Sequence, residues 1–194
     1  MAADTFLIVG LGNPGPTYSD NRHNVGQMVA DLLAIRLGAK FKSHKVGAVI
    51  AEGRLGMGGP KVIVAKSTGF MNTSGRPVSG LVKFFDVPLG NLIVVYDELD
   101  IPAHDVRLKL GGGHAGHNGI RDIIAALGSP DFLRVRVGIG RPPGQQAVSD
   151  FVLSNFGTVE RKELPVTLEL AADACELIVS QGLGAAQQRF RPQR

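Results

Sequence analysis

His23 is the residue in this sequence best placed to move a proton. It stands just before a helical period that opens at Val25. The positive end of a helix disfavours imidazolium, so the ring is expected to be a neutral base near pH 7. Such a base can take a proton from water. It then needs a carboxylate to fix its tautomer and stabilise the cation it becomes. Asp97-Glu98-Leu99-Asp100 offers one at the exit of the apolar run Leu92 to Tyr96, where α/β folds usually hold ligands. Taken alone, that acidic run reads rather as a solvated loop or a cap.

Three further loops between apolar segments carry an asparagine. Gly10-Leu11-Gly12-Asn13-Pro14-Gly15 satisfies GxGxxG after a strand, the pattern of a dinucleotide site. Pro14 and Pro16 disturb the turn, no helical period follows until Val25, and the next strand ends too far away, at Glu52, to supply the ribose-binding acid. A glycine turn presenting Asn13 at a strand mouth fits better. Phe70-Met71-Asn72-Thr73-Ser74-Gly75 also leads from strand to helix, with Ser74 the expected N-cap. In Gly111-Gly112-Gly113-His114-Ala115-Gly116-His117-Asn118-Gly119 the Lys-Ser/Thr ending of a P-loop is missing, and His114 and His117 find no further metal ligands at supporting spacing. Asn118 is the expected N-cap there. Glycines ahead of a helix N-terminus also suit an anionic group.

These loops need a layered α/β scaffold to bring them together. Strands are predicted at Phe6 to Val9, Val46 to Glu52, Val62 to Lys66, Leu92 to Tyr96, Val106 to Leu110 and Arg134 to Ile139, with a hairpin between residues 46 and 66. Helical spacing runs through Val25 to Leu33, Val78 to Phe85 and Ile120 to Leu127. A last helix runs from Leu164 to Ile178, with Pro165 in its first turn. The prediction is a single domain over 1–194, a mixed, mostly parallel, twisted sheet flanked by helices in three layers (α/β/α). Residues 187–194, with three arginines, are expected to form a frayed basic tail.

With 194 residues, 44% hydrophobic and 20% charged, the chain can bury a core of its own. Its 26 glycines are roughly twice the usual share of about 7%. The net charge of +4 is compatible with a polyanionic partner. Cys175, the lone cysteine, excludes an internal disulfide framework and points to a reducing compartment. Neither a leader peptide nor a membrane span is readable, so a cytoplasmic location is expected.

Taken in order, the motifs resemble the bacterial peptidyl-tRNA hydrolase family. The likeness is carried by Val9 to Gly15, Tyr18, Arg22-His23-Asn24, Phe70-Met71-Asn72 with Ser74-Gly75, Asp97 to Asp100, Lys109 to Gly113 and Gly116 to Gly119. Ala115 and Tyr96 stand where glycine and histidine are common. The resemblance implies cleavage of the ester between a peptide and the terminal ribose of tRNA by a monomer with no cofactor, no metal and no obligate protein partner. It implies His23 as base, supported by Asp97. Asn13 would tell peptidyl-tRNA from aminoacyl-tRNA, and Tyr18, Phe70, Asn72 and Asn118 would hold the acceptor end and peptide.

The residue types agree with that chemistry. No GxSxG elbow is present and Cys175 falls on an apolar helix face, so direct attack by water is expected rather than an acyl-enzyme. Arg107 with Lys109, and Arg134 with Arg136, alternate with apolar residues, which places each pair on one strand face as a candidate phosphate-binding surface. Arg141-Pro142-Pro143-Gly144, followed by Phe151-Val152-Leu153, is a candidate lid.

Overall fold

The computed structural model describes residues 4–192. Seven strands form one mixed sheet in the order β2-β3-β4-β1-β5-β7-β6. They are β1 (Thr5–Gly10), β2 (Lys42–His44), β3 (Ala48–Arg54), β4 (Lys61–Ser67), β5 (Leu92–Glu98), β6 (Val106–Leu110) and β7 (Leu133–Gly138). The four central strands, β4-β1-β5-β7, run parallel, and antiparallel pairing is confined to the edges. The expected hairpin is β3-β4. β2 was not expected, because Lys42-Ser43-His44 shows no apolar alternation.

Six helices complete the layers: α1 (Val25–Arg36), α2 (Gly75–Phe84), α3 (Asn118–Leu127), α4 (Val148–Val152), α5 (Thr158–Gln181) and α6 (Leu183–Arg189). The alternation of strand side chains divides the core in two. Ile8, Val64, Ile93, Val95 and Val135 pack with α1 and α5, while Leu7, Val9, Ile63, Val94 and Tyr96 pack with α2 and α3. Every residue of β5 is buried, as a central parallel strand requires.

Two helix expectations are corrected. α5 begins at Thr158, so Pro165 lies inside it rather than in its first turn. The start is marked instead by Glu160, whose Oε1 accepts from the Gly157 N–H at 2.9 Å. The tail predicted from Gln187 starts within α6, where Gln187 Nε2 donates to the Leu108 carbonyl at 3.1 Å and Phe190 packs on the core. The last two residues of that tail lie outside the described residues.

The feature that positions the site is a backbone-to-backbone contact. A side chain at Gly10 would collide with the Gly26 carbonyl, and one at Gly26 with the Val95 carbonyl. α1 therefore rests directly on β1 and β5 and draws the turn before it against the end of β5. Alanine in a helix ordinarily stabilises by up to about 1 kcal/mol over glycine. Here Gly26→Ala is expected to destabilise by about 1–3 kcal/mol through overpacking. Chemical denaturation measures it, and a stability gain would contradict the contact.

Candidate active site

β1, β4 and β5 end at the same edge of the sheet, and their exits deliver Asn13, the Phe70–Asn72 turn and Asp97 to one cleft. The glycine segment before α3 does not join them as a fourth exit of the same kind. β6 runs antiparallel to β7 and leaves the sheet at the opposite end, so residues 111–117 climb back across the sheet face to reach the cleft.

Asp97 is the centre of the site. Its side chain is 2% exposed, and each oxygen accepts from one imidazole. His23 Nδ1 lies 2.8 Å from Oδ2, and His117 Nε2 lies 2.9 Å from Oδ1. His117 Nδ1 accepts from the Ile120 N–H at 3.3 Å, which assigns the proton to Nε2 and makes this ring the N-cap of α3. The expected cap, Asn118, is instead the first helical residue and faces the cleft. On His23, a proton at Nδ1 bonded to Asp97 leaves Nε2 with a free lone pair.

Burial disfavours charge on His23, but the charge and hydrogen bond of Asp97 outweigh it and raise the ring above its ordinary pKa. The lowering expected from the helix end is therefore overturned by the adjacent carboxylate. Burial likewise opposes the Asp97 charge, and His23 and His117 more than offset it, holding the carboxyl well below the usual range.

The Arg22–Asn24 turn distributes three side chains in three directions. Arg22 reaches out to Glu160 and donates to the Phe151 carbonyl at 3.1 Å, tying the turn to α4 and α5. His23 turns in to Asp97. Asn24 clamps the backbone of Asn13, accepting from its N–H and donating to its carbonyl, both at 2.9 Å. Asn13 Oδ1 accepts from the Met71 N–H at 2.7 Å, which leaves its Nδ2 amide for the cleft. Ser74 holds the cap position of α2, yet its hydroxyl donates to the Met71 carbonyl, and Asp122 accepts the Gly75 N–H in its place.

The cleft is a cavity of about 550 Å³ lined by Asn13, His23, Asn72, Asp97 and Asn118 on its polar side. Phe70, Met71, Leu99, Val148, Val152 and Leu153 form an apolar wall. The last three come from α4 and its C-terminal cap, so the segment expected as a lid is one side of the cleft. Tyr18 stands behind Phe70, edge to face at 6.2 Å, outside the cavity lining.

Among the described residues, His23, Asp97 and His117 are also the one cluster with metal-ligand chemistry. The nitrogens facing Asp97 are already at hydrogen-bond distance, so an ion between them would have to displace both protons. His114 takes no part and accepts from the Gly116 N–H.

The basic strand face is only partly as expected. Arg107 pairs in register with Arg136, and Lys109 with Arg134. Arg107, Lys109 and Arg136 are half-buried with surface access. Arg134 is fully buried, covered by the climbing glycine segment, and is removed from the candidate phosphate surface. Arg107 and Arg136 also line a cavity of about 480 Å³ with Gln187, Gln188 and Arg191. Sequence reasoning missed the roles of His117 and Asn24. For His117 the available signal was its position one residue before the assigned cap, from which an imidazole can bond two groups at once.

A cleft at the carboxyl ends of parallel strands, floored by an oriented imidazole–carboxylate pair, defines an α/β enzyme. The model of the family described as peptidyl-tRNA hydrolase matches residues 7–194. The peptidyl-tRNA hydrolase of Paenarthrobacter aurescens is 60% identical over 97% of this chain and 97% of its own length. That of Pseudarthrobacter chlorophenolicus is 59% identical over 97% and 96%. The crystal structure of peptidyl-tRNA hydrolase from Acinetobacter baumannii superposes with a TM-score of 0.90 at 33% identity, covering 100% of this chain and 98% of that one. The chain belongs to the peptidyl-tRNA hydrolase family, and it is a hydrolase.

The opposing effects on His23 give a signed prediction. An NMR titration should place its pKa above 6.5. In Asp97→Asn the raising influences disappear while burial remains, so the pKa should fall below 6.5. An unmoved or rising value in the variant would contradict the assignment.

Proposed function

We propose that this enzyme hydrolyses the ester between a peptide, or an N-blocked aminoacyl group, and the terminal ribose of tRNA, with His23 as general base. The observation that carries the reading is the buried Asp97 bridging two imidazoles while His23 Nε2 stays free on the cleft side. Nε2 takes a proton from water as the water oxygen attacks the ester carbonyl carbon. The bond to the ribose oxygen then breaks, and the imidazolium returns the proton to that oxygen. Free tRNA and a peptide carboxylic acid are released. Asp97 holds the tautomer and stabilises the transient imidazolium, and the general-base help of His23 is worth about 10² to 10⁴ in rate.

Charge developing on the carbonyl oxygen needs fixed donors, and the Asn72 amide on the cleft rim is suited to supply one. The clamped Asn13 amide and Asn118 can bond the peptide backbone, reading amides common to every peptide. In this reading Asn13 also separates peptidyl-tRNA from aminoacyl-tRNA with its free amine. The exposed Phe70 ring, backed by Tyr18, suits stacking on the terminal adenine. Arg107, Lys109 and Arg136 contact acceptor-stem phosphates without reading sequence. Burial raises the Cys175 thiol pKa far from any reactive range, which supports water rather than cysteine as the nucleophile. The enzyme acts as a cytoplasmic monomer that recycles tRNA from prematurely released peptidyl-tRNA.

A second reading, an RNA-binding member of the same fold without turnover, predicts binding alone. The test is deacylation of N-blocked aminoacyl-tRNA. Wild type should turn over, and His23→Ala should lose about 10²-fold or more in kcat while keeping its affinity for tRNA. Binding without turnover in the wild type would leave only the second reading. Lys109→Ala and Arg136→Ala should raise KM and reduce the slope of log KM against log salt by about 0.7–0.9 for each phosphate no longer neutralised. Unchanged slopes would remove these residues from the tRNA face.

A further inference from the structure

Among the described residues Arg134 is the largest side chain with no exposure, and no carboxylate lies within ion-pair distance of it. Burying an unpaired cation costs several kcal/mol unless its donors are satisfied. Its two terminal nitrogens find backbone carbonyls, while the buried Nε has no hydrogen-bond partner. Nη1 donates to Gly113 at 2.6 Å, and Nη2 donates to Gly112 at 2.7 Å and to Pro130 at 3.0 Å. The guanidinium lies 4.4 Å above the Phe132 ring. Two of these three carbonyls belong to the segment that climbs from the far end of the sheet to the cleft.

Apart from these bonds, the path of the segment is set by the Gly111 N–H on the Phe132 carbonyl and by a local turn in which the Gly116 and His117 N–H groups donate to His114. Gly111, Gly112 and Gly116 have φ of 72°, 97° and 81°, and Ala115 has φ of 48°, a left-handed conformation for a residue with a side chain. Such a stretch carries a large conformational entropy in any looser state. It ends in His117, which must bond Asp97, and Asn118, which must line the cleft. A planar fork holds two successive carbonyls and a third from two nitrogens set apart in fixed directions, whereas the three donors of an ammonium radiate from a single atom. Tyr96 continues the connection, because its phenol lies beside Arg134 and its ring stands edge-on to His117 at 5.1 Å.

We propose that Arg134 is a positioning residue for hydrolysis: by clasping the Gly112 and Gly113 carbonyls it fixes the climbing segment so that His117 holds Asp97 and Asn118 faces the substrate. The proposal rests on the reading of Asp97 and His23 given above. It separates Arg134 from the outward cations of the same strand face, since its effect passes through the loop and not through phosphate.

The test compares Arg134→Lys with the wild type in steady-state kinetics and in the proton NMR signal of the His117 Nε2–H. The expected result is a loss of roughly 10- to 100-fold in kcat, the scale of a misplaced catalytic geometry. KM should change less than about threefold, with an unchanged salt slope. The His117 signal, shifted downfield in the wild type by its bond to Asp97, should move or broaden. Phe132→Leu, which keeps the guanidinium but withdraws its ring, should show a smaller change of the same kind.

A wild-type kcat with an unmoved His117 signal in either folded variant would overturn the proposal. So would a loss confined to KM with a shallower salt slope, the mark of a phosphate contact. Failure of both variants to fold would overturn it too, by making Arg134 a support of the whole core. The His117 signal does not depend on which residue is the base. Full turnover in His23→Ala would thus defeat the parent reading separately.

Discussion

A carboxylate withdrawn from water costs several kcal/mol, and it persists only where donors replace its hydration. Asp97 meets that demand with two imidazole N–H groups, one on each oxygen. The elements around it are arranged accordingly. β5 is buried along its whole length and carries the carboxylate into the interior. α1 rests on bare backbone at Gly10 and Gly26, which brings His23 within reach. α3 is capped by a histidine whose Nδ1 accepts a helix N–H while its Nε2–H, on the far side of the ring, donates to Asp97.

The same carboxylate sets the character of His23. An isolated ring at the start of α1, buried and near the positive helix end, would be a weak base, and a fully exposed one would lack a fixed tautomer. Asp97 resolves both, raising proton affinity and directing the free lone pair away from itself. The asparagines around the cleft are held by a different logic. Asn24 commits both ends of its amide to the Asn13 backbone, and Asn13 commits its oxygen to Met71, so one oriented N–H donor group remains. Opposite it stands an apolar wall without charge. The cleft thus pairs oriented amides with apolar contacts.

Much of the scaffold was legible in the sequence because β-branched runs and helical spacing report burial directly. Six strands and three helices fall where those patterns place them, a fourth helix starts earlier than its pattern, and the exits of β1, β4 and β5 bring Asn13, Asn72 and Asp97 together as expected. Elements whose residues are not patterned by burial escaped: β2 is three polar residues at an edge, and α4 is a five-residue helix. The proline in α5 read as a boundary because local chemistry favours that, while tertiary packing on α1 carries the helix through it. His117 escaped for another reason. Its two bonds run to a helix N–H three residues on and to a carboxylate twenty residues back, and only the second defines its role.

Arg134 shows most clearly where strand alternation stops being informative. Period two places Arg134 and Arg136 on one face, and register adds Lys109 and Arg107 beside them, which the structure bears out. The rule says nothing about what covers that face. Because β6 runs antiparallel, the chain must return over the sheet to start α3 at the cleft, and its return path lies over one cation and beside the others. The covered guanidinium takes backbone carbonyls as partners, while Arg107 and Arg136 keep access to a groove at the sheet edge. Four cations on two adjacent strands are thus divided by topology into one that supports the loop of the cleft and three that face solvent. Crowding them has a cost visible at Lys109, whose pKa is lowered by burial and by Arg136 and Arg134. The return path that covers Arg134 therefore leaves the other three cations side by side with access to the surface.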